Sequence, residues 1–360
     1  MSTFLCDRGC IVAEGAVPWQ ENYAGECLAF MGISGLTSRA RHGIIPDVKA
    51  RTSRSAVKKV AGMIFKSFDG KEISLCTWED AAPLRGVVQI VHGMTEHAAR
   101  YGEFARFLNE HGFAVVADDH RGHGRTDGET LGWCGGDMFA DTVRDEAEIT
   151  AYFRKKYEGL PYFVFGFSYG SFLTQSYISG YGDLITGAVI GGSSYKKDPE
   201  VYLGSVVAAV GGAFCGGQSP ARLIEKLSFG AYAGKFDDRE WLSADAENNA
   251  RYHGDPLCGF TCSHKFYADF FRGLKRLYTR SYIAGLNKDL PVLLVSGAED
   301  PVGNMGRGVE KLYRFYTEKA GMRKVALRLF EGSRHEFLNE RENRAEKWGA
   351  LLDFFEENSK

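Results

Sequence analysis

A serine flanked by glycines stands at residues 166–171, in the segment GFSYGS. Its hydroxyl could attack a carbonyl carbon, but the G-x-S-x-G pattern alone is weak in a chain with 44 glycines among 360 residues. The context is stronger, because the preceding YFVFGFS is typical of a buried strand and the following residues begin as a helix does. The turn between them requires small neighbours, which Gly166, Gly170 and Ser171 provide. We therefore predict that Ser168 is a nucleophile at a helix amino terminus, where the helix dipole favours developing negative charge.

A serine hydroxyl is a weak nucleophile unless a nearby base removes its proton. His335 lies just past the strand-like VALRLF, and Glu299 and Asp300 lie just past the strand-like PVLLVSG. In folds that place a serine on such a turn, the members of the triad follow in the order serine, acid, histidine. The order Ser168, Asp300, His335 fits this rule, and Glu299 is the rival for the acid.

Two backbone N–H groups are predicted to hold the oxyanion that forms when the serine attacks. One belongs to Tyr169, the residue after the nucleophile. The other comes from HGMTEH (92–97), which follows the strand-like VVQIV. We place this donor at Met94, because Gly93 lets the backbone approach closely. The serine chemistry requires no cofactor and no metal ion.

Strand-like and helix-like segments alternate along the chain from Met63 onwards. Strands are predicted at GVVQIV, FAVVAD, YFVFGF, GAVIGG, PVLLVSG and VALRLF, with amphipathic helices between them and at the carboxyl terminus. This alternation predicts an α/β protein with a mostly parallel central sheet and helices on both faces. Before it, two strand-like runs flank Asp69 and Gly70, which favours a hairpin with a two-residue turn and positive φ at both positions.

Residues 193–284 interrupt the alternation and contain helix-like stretches with many aromatic residues. We predict an inserted, mainly helical cap, so that the core comprises residues 61–192 and 285–360. The insertion follows a strand, and ligands of open α/β sheets bind outside the carboxyl ends of the strands. One apolar face at helical spacing in this insertion consists of Val206, Val207, Val210 and Phe214. We expect that face either to form the wall of an acyl-chain pocket or to pack inside the cap.

Residues 1–60 show no sustained helical or strand period and are rich in basic residues between Arg39 and Lys59. Such a composition is typical of solvated, poorly ordered chain. We predict an amino-terminal extension that folding and catalysis do not require.

The overall composition excludes several classes of protein. A net charge of −2 argues against a nucleic-acid partner. No apolar run is long enough to span a membrane, and the amino terminus lacks the pattern of a secretory signal. The eight cysteines form no C-x-x-C motif, which indicates free thiols in a reducing compartment. The sequence therefore predicts a cytoplasmic protein.

Five ordered motifs resemble the monoacylglycerol lipase and lysophospholipase group of α/β-hydrolases, also described as serine aminopeptidase-like: HGMTEHAARYGEFARFL, DDHRGHGRTDG, GFSYGS, SGAEDPVG and RHEFLNE. The resemblance spans about residues 63–358. It implies an α/β-hydrolase fold with Ser168 as nucleophile, Asp300 as acid and His335 as base. Thr95 departs from the glycine usual in this group and, as a β-branched residue, is expected to keep an ordinary backbone conformation.

The resemblance also implies a function. The N–H groups of Met94 and Tyr169 would hold the oxyanion, and the substrate would be a small carboxylic ester or a monoacyl lipid, reached through transient contact with a membrane surface. Two alternatives stay open. The first is an aminopeptidase or amidase, whose cap carboxylates would bind a substrate amine, and the second is a non-catalytic binding protein on the same fold. The candidate carboxylates are Asp237, Asp238 and Glu240.

The segment DDHRGHG contains several polar side chains that could bind a metal ion: Asp119, His120, Arg121 and His123. A polar loop of this kind more often supports a site through hydrogen bonds. We predict that supporting role.

Overall fold

The computed structural model describes residues 61–197 and 199–360, so the predicted extension at residues 1–60 lies outside the described residues and stays a prediction. Eight strands in the described ranges form one sheet. Their bounds are β1 (Ala61–Lys66), β2 (Glu72–Trp78), β3 (Gly86–Val91), β4 (Phe113–Asp118), β5 (Tyr162–Phe167), β6 (Gly187–Gly191), β7 (Val292–Gly297) and β8 (Val325–Phe330).

The sheet has the strand order β1-β2-β4-β3-β5-β6-β7-β8. Strands β3 to β8 run parallel to one another, whereas β1 and β2 pair antiparallel with each other and β2 pairs antiparallel with β4. The carboxyl ends of parallel strands meet at one edge of a sheet, so the loops after β3, β5, β7 and β8 gather there. The predicted fold class, an α/β protein with a mostly parallel sheet, is confirmed.

Helices surround the sheet. Their bounds are α1 (Gly102–Glu110), α2 (Ala140–Lys156), α3 (Tyr169–Tyr181), α4 (Pro199–Cys215), α5 (Arg222–Ala233), α6 (Ala246–Gly254), α7 (His264–Arg276), α8 (Arg280–Gly285), α9 (Arg307–Arg314) and α10 (Arg344–Glu357).

Both faces of the sheet are buried. Along β3, Val87 and Val91 join one apolar cluster, and Val88 and Ile90 join another on the opposite face. This alternation follows from the two-residue period of a strand. Helices therefore cover a sheet whose strands are apolar on both sides, which explains the continuous apolar runs in the sequence.

The regular elements described between β6 and β7 are helices, α4 to α8, joined by loops. Among them α4 packs closely against α7, because two glycines of α4 face α7 and leave room for its side chains. A Cβ at Gly204 would come within 2.4 Å of the Phe271 ring, and one at Gly211 within 2.2 Å of His264. We use the name inserted segment for residues 193–284.

The hairpin between β1 and β2 forms as predicted, but its turn differs from the prediction. Gly70 has a φ of 85°, and Asp69 is not among the residues with positive φ. The N–H of Gly70 donates to the carbonyl of Ser67, and the N–H of Ser67 donates to that of Lys71, so the loop is longer than two residues. Asp69 instead uses its carboxylate to accept hydrogen bonds from Arg121.

None of the helices in the described ranges combines the length and the apolar character needed to cross a bilayer.

Arg121 joins the first hairpin to α2 through a buried ion pair. Its Nε lies 2.6 Å from Oδ2 of Asp145, and both side chains are 1% exposed. Arg121→Met should lower the free energy of unfolding by about 3–5 kcal/mol, because it leaves the Asp145 carboxylate buried without its partner. The matched control is Arg323→Met, which breaks an exposed pair with Asp289 and should barely change the melting temperature. Equal losses in the two variants would contradict this view of Arg121.

Candidate active site

Ser168 sits on a sharp turn between β5 and α3. Its φ is 53° and its ψ is −117°, a conformation that non-glycine residues rarely adopt. The turn is crowded: a Cβ at Gly170 would lie 2.0 Å from the carbonyl oxygen of Val91, and one at Gly166 would lie 2.1 Å from Oγ1 of Thr174. Both positions therefore have room only for glycine. The turn presents the hydroxyl of Ser168 at the carboxyl edge of the sheet.

His335 and Asp300 lie beside this hydroxyl. Nε2 of His335 is 2.8 Å from Oγ of Ser168, and Nδ1 is 3.0 Å from Oδ2 of Asp300. The second distance is that of a hydrogen bond, although the ring N–H is poorly aligned with the carboxylate. Such alignment commonly improves when a ligand binds. The structure thus brings together the three residues that the sequence singled out.

The carboxylate of Asp300 is fixed by two further donors. Its Oδ2 accepts from the hydroxyl of Ser296 at 2.9 Å, and its Oδ1 accepts from the N–H of Val302 at 2.8 Å. The side chain of Asp300 is fully buried, whereas that of Glu299 is exposed. Only Asp300 of the two contacts the imidazole of His335.

The surroundings of His335 favour its charged form. Burial alone lowers the pKa of His335, but the charge of Asp300 and its hydrogen bond raise it, as do the carboxylates of Glu336 and Glu96. The net effect is a pKa above the ordinary value for histidine. A base must be neutral to accept a proton, so this shift moves the acid limb of any activity that uses His335 as base to higher pH.

The loop after β3 approaches the nucleophile closely. A Cβ at Gly93 would lie 3.2 Å from Cβ of Ser168, so only glycine fits there without a shift. The N–H of Gly93 donates to Oε1 of Glu96 at 2.6 Å. The next residue, Met94, lines the same cavity as Ser168 and Tyr169. Tyr169 is the first residue of α3, where a backbone N–H has no partner within the helix.

Thr95 corrects an expectation from the sequence. Its φ is 56°, in the left-handed region, rather than the ordinary conformation expected of a β-branched residue. Such a conformation costs of the order of 1–3 kcal/mol. Its side-chain hydroxyl lies 2.7 Å from the hydroxyl of Tyr252 on α6. The inserted segment therefore contacts Thr95, whose conformation glycine would adopt more easily.

A buried cluster of charges links the two loops of the site, and it was not recognised from the sequence. The guanidinium of Arg100 donates to Glu96 at 2.5 Å and, through both terminal nitrogens, to the two oxygens of Glu336 at 2.6 and 2.7 Å. Both carboxylates are 2% exposed. The four-residue spacing of Glu96 and Arg100 was the only sequence pattern that could have suggested the first pair. The second pair joins residues far apart in the chain, and no local pattern predicts it.

Ser168 and His335 open onto a cavity of about 650 Å³, a size within the usual range for a small-molecule site. The inserted segment supplies much of its lining, and the residues it contributes are largely apolar. Among them are Val201, Val207, Ile224, Leu227, Phe229 and Trp241.

The predicted apolar face on α4 divides between two environments. Val207 lines the cavity, as predicted for a pocket wall. Val206, Val210 and Phe214 are 59%, 50% and 88% exposed, so the prediction is wrong for these three. Residues four apart share one side of a helix, and the side that carries Val206, Val210 and Phe214 is exposed to solvent.

The segment DDHRGHG supports the loop after β3 through hydrogen bonds. Oδ1 of Asp119 accepts from the N–H of Ala98 at 2.9 Å. Nε2 of His120 lies 3.0 Å from the carbonyl oxygen of His92, the first residue of the loop. Nδ1 of His123 lies 3.1 Å from the carbonyl oxygen of Arg121. These contacts agree with the supporting role predicted for the segment.

Among the residues that the structure describes, two groups of side chains have possible metal-ligating atoms close together: His97, Asp255 and Cys258, and Asp118, His120 and Glu146. In each group a histidine is already paired with a carboxylate, His97 with Asp255 at 2.9 Å and His120 with Asp118 at 2.8 Å. These pairs explain the proximity of the groups without an ion, and we assign no metal to either.

The sheet topology and the serine on its turn define the α/β-hydrolase fold. The family model of serine aminopeptidase, S33, matches residues 82–342. The chain belongs to that family, which establishes it as a hydrolase.

Individual relatives agree with this assignment. The monoacylglycerol lipase of Mycolicibacterium smegmatis is 28% identical over 283 residues, which cover 78% of this chain and 91% of that protein. The crystal structure of a carboxyl esterase from Bacillus coagulans in complex with glycerol has a TM-score of 0.75 and 27% identity, covering 84% of this chain and all of the other. A monoglyceride lipase of Saccharomyces cerevisiae, solved with a substrate analogue, has a TM-score of 0.68 and 19% identity, covering 85% and 97%, and is similar in fold.

The contact between Asp300 and His335 leads to a prediction about pH. Asp300→Asn removes the charge that raises the pKa of His335, so the acid limb of kcat/KM should move to lower pH. The rate at the optimum should fall by about 10⁴-fold, because the amide no longer stabilises the imidazolium.

The control is Glu299→Gln, which changes an exposed neighbour and should leave both the rate and the pH profile nearly as they were. A larger loss in Glu299→Gln than in Asp300→Asn would show that the acid has been assigned to the wrong residue.

Proposed function

We propose that this protein is a serine hydrolase that cleaves carboxylic esters of the monoacylglycerol or lysophospholipid kind through an acyl-enzyme on Ser168. The observation that carries the proposal is the chain of contacts from Ser168 through His335 to Asp300, beside a largely apolar cavity that Ser168 and His335 line. We further propose that the inserted segment, residues 193–284, serves as the cap of this cavity.

In the proposed mechanism, His335 takes the proton of Ser168 as the serine oxygen attacks the ester carbonyl. The N–H groups of Met94 and Tyr169 stabilise the oxyanion. His335 then gives the proton to the leaving alcohol, and an acyl-enzyme remains. Water attacks that ester with His335 again as base, and the acid is released. Asp300 keeps the imidazole oriented and stabilises its charged form.

The choice of a monoacyl lipid rests on two observations. The cavity is lined largely by apolar side chains of the inserted segment, which suit an acyl chain. The relative from Mycolicibacterium smegmatis is a monoacylglycerol lipase. Next to the cavity, α4 exposes Val206, Val210 and Phe214, and we propose that this apolar side contacts the lipid surface from which substrate is drawn.

The amidase alternative requires a carboxylate that binds a substrate amine. Asp237, Asp238 and Glu240 do not line the cavity, and Asp238 pairs with Arg334 at 2.7 Å. Glu200 and Glu225 do line it, so an amine could find a partner there. The two substrate classes are best separated by comparing amino-acid arylamides with p-nitrophenyl acyl esters. Faster turnover of the arylamides would favour the amidase.

Ser168→Ala provides the direct test of the nucleophile. Esterase activity should fall by several orders of magnitude while the melting temperature stays close to that of the parent protein. A fluorophosphonate probe should label the parent protein and not the variant. Labelling of the alanine variant would show that Ser168 is not the nucleophile. A parent protein that neither hydrolyses esters nor reacts with the probe would favour the non-catalytic alternative.

Two neighbouring valines on α4 test the acyl-chain pocket. Val207→Asn should raise KM for a decanoate ester and leave an acetate ester nearly unchanged, because only the long chain buries surface there, at roughly 0.8 kcal/mol per CH₂. Val206→Asn is the matched control on the exposed side. It should leave KM unchanged for both soluble esters and lower the turnover of monoacylglycerol presented in vesicles.

Equal losses on acetate and decanoate in Val207→Asn would contradict the pocket-wall role. Unchanged turnover of vesicle-borne substrate in Val206→Asn would contradict the surface contact.

A further inference from the structure

Thr95 lies in the loop that carries Met94, and its backbone is held in a left-handed conformation. The residue is buried, so its polar groups require partners within the protein. The carbonyl oxygen of Thr95 accepts from the hydroxyl of Tyr252 at 3.1 Å and from the N–H of Gly259 at 3.0 Å. Both donors belong to the inserted segment.

The two hydroxyl groups form a consistent pair of hydrogen bonds. A carbonyl oxygen can only accept, so the single proton of the Tyr252 hydroxyl is directed to the carbonyl of Thr95. The hydroxyl of Thr95, 2.7 Å from that of Tyr252, is then the donor of the second bond. One tyrosine therefore contacts both the backbone and the side chain of Thr95.

Tyr252 is itself held in place on a helix that contacts both loops of the site. The guanidinium of Arg100 lies over its ring, 4.9 Å from the centroid. Four residues earlier on α6, Asn248 donates to Oε2 of Glu336, the neighbour of His335, at 2.6 Å. One turn of α6 thus contacts the loop of Met94 and the loop of His335 together.

We propose that Tyr252 is a positioning residue: it holds Thr95 in its left-handed conformation and thereby aims the N–H of Met94 at the oxyanion. The inference rests on the proposed function, because it concerns the oxyanion of that reaction. A glycine at position 95 would adopt the same φ without a steric penalty and would depend less on the tyrosine. We call the two hydrogen bonds between Tyr252 and Thr95 the clamp. The clamp compensates for the steric penalty of having threonine, rather than glycine, at this position.

The test is a double-mutant cycle between positions 252 and 95. Tyr252→Phe should lower kcat for a soluble ester roughly tenfold with little change in KM, because the oxyanion is present in the transition state and absent from the bound substrate. In a Thr95→Gly background the same substitution should cost only about twofold, since glycine does not require the clamp. Affinity for a trifluoromethyl ketone, which forms an oxyanion on the serine, should fall in parallel with kcat.

The control is Tyr282→Phe, which removes another buried tyrosine hydroxyl, 2.8 Å from that of Tyr316 and outside the cavity lining. It should affect the melting temperature in a similar way and leave kcat unchanged. A loss of kcat in Tyr252→Phe that is equally large in the Thr95→Gly background would overturn the proposal. So would a change confined to KM, which would make Tyr252 a substrate contact.

Hydrogen–deuterium exchange of the segment 92–97 separates failure of the clamp from failure of the proposed function. Exchange should become faster in Tyr252→Phe and stay unchanged in Tyr282→Phe, whether or not the protein hydrolyses the chosen ester. Unchanged exchange in Tyr252→Phe would overturn the clamp. A parent protein without esterase activity would overturn the proposed function and leave the clamp to be judged by exchange alone.

Discussion

The arrangement of the site depends on one buried guanidinium. Arg100 joins Glu96, whose carboxylate holds the N–H of Gly93, to Glu336, the neighbour of His335. Two buried carboxylates so close together would repel each other strongly without a positive charge between them. The bidentate geometry of arginine fixes the orientation of the carboxylates as well as balancing their charge. Arg100 therefore positions the loop after β3 and the loop after β8 relative to each other.

The same region contains two residues in unfavourable backbone conformations. Ser168 and Thr95 both have positive φ, and they lie on adjoining loops. Such conformations persist only where the surroundings determine them fully. At Ser168 the surroundings are crowded, since neither Gly166 nor Gly170 has room for a side chain. At Thr95 the surroundings supply hydrogen bonds from the inserted segment, so the core alone does not complete this side of the site.

The sequence predicted the parts of the site that local patterns control. Ser168, Asp300 and His335 each follow a recognisable strand, and parallel strands bring their carboxyl ends to one edge. The contact between Arg100 and Glu336 spans 236 residues and involves no periodic pattern, so it could not be predicted. The orientation of α4 was equally inaccessible, because Val206 and Val207 are both apolar and only packing decides which one faces the cavity.

The charges around His335 give the site its electrostatic character. Asp300 contacts one ring nitrogen, and Glu336 and Glu96 lie close enough to raise the pKa of His335 despite its burial. Arg100 neutralises part of this negative charge but faces the carboxylates rather than the imidazole. In the proposed reaction His335 becomes positively charged as Ser168 attacks, and a surplus of negative charge nearby stabilises that state. The cost of this arrangement is a base that loses its proton only at higher pH. Asp300 contributes most to this upward shift in the pKa of His335, and Glu336 and Glu96 add to it.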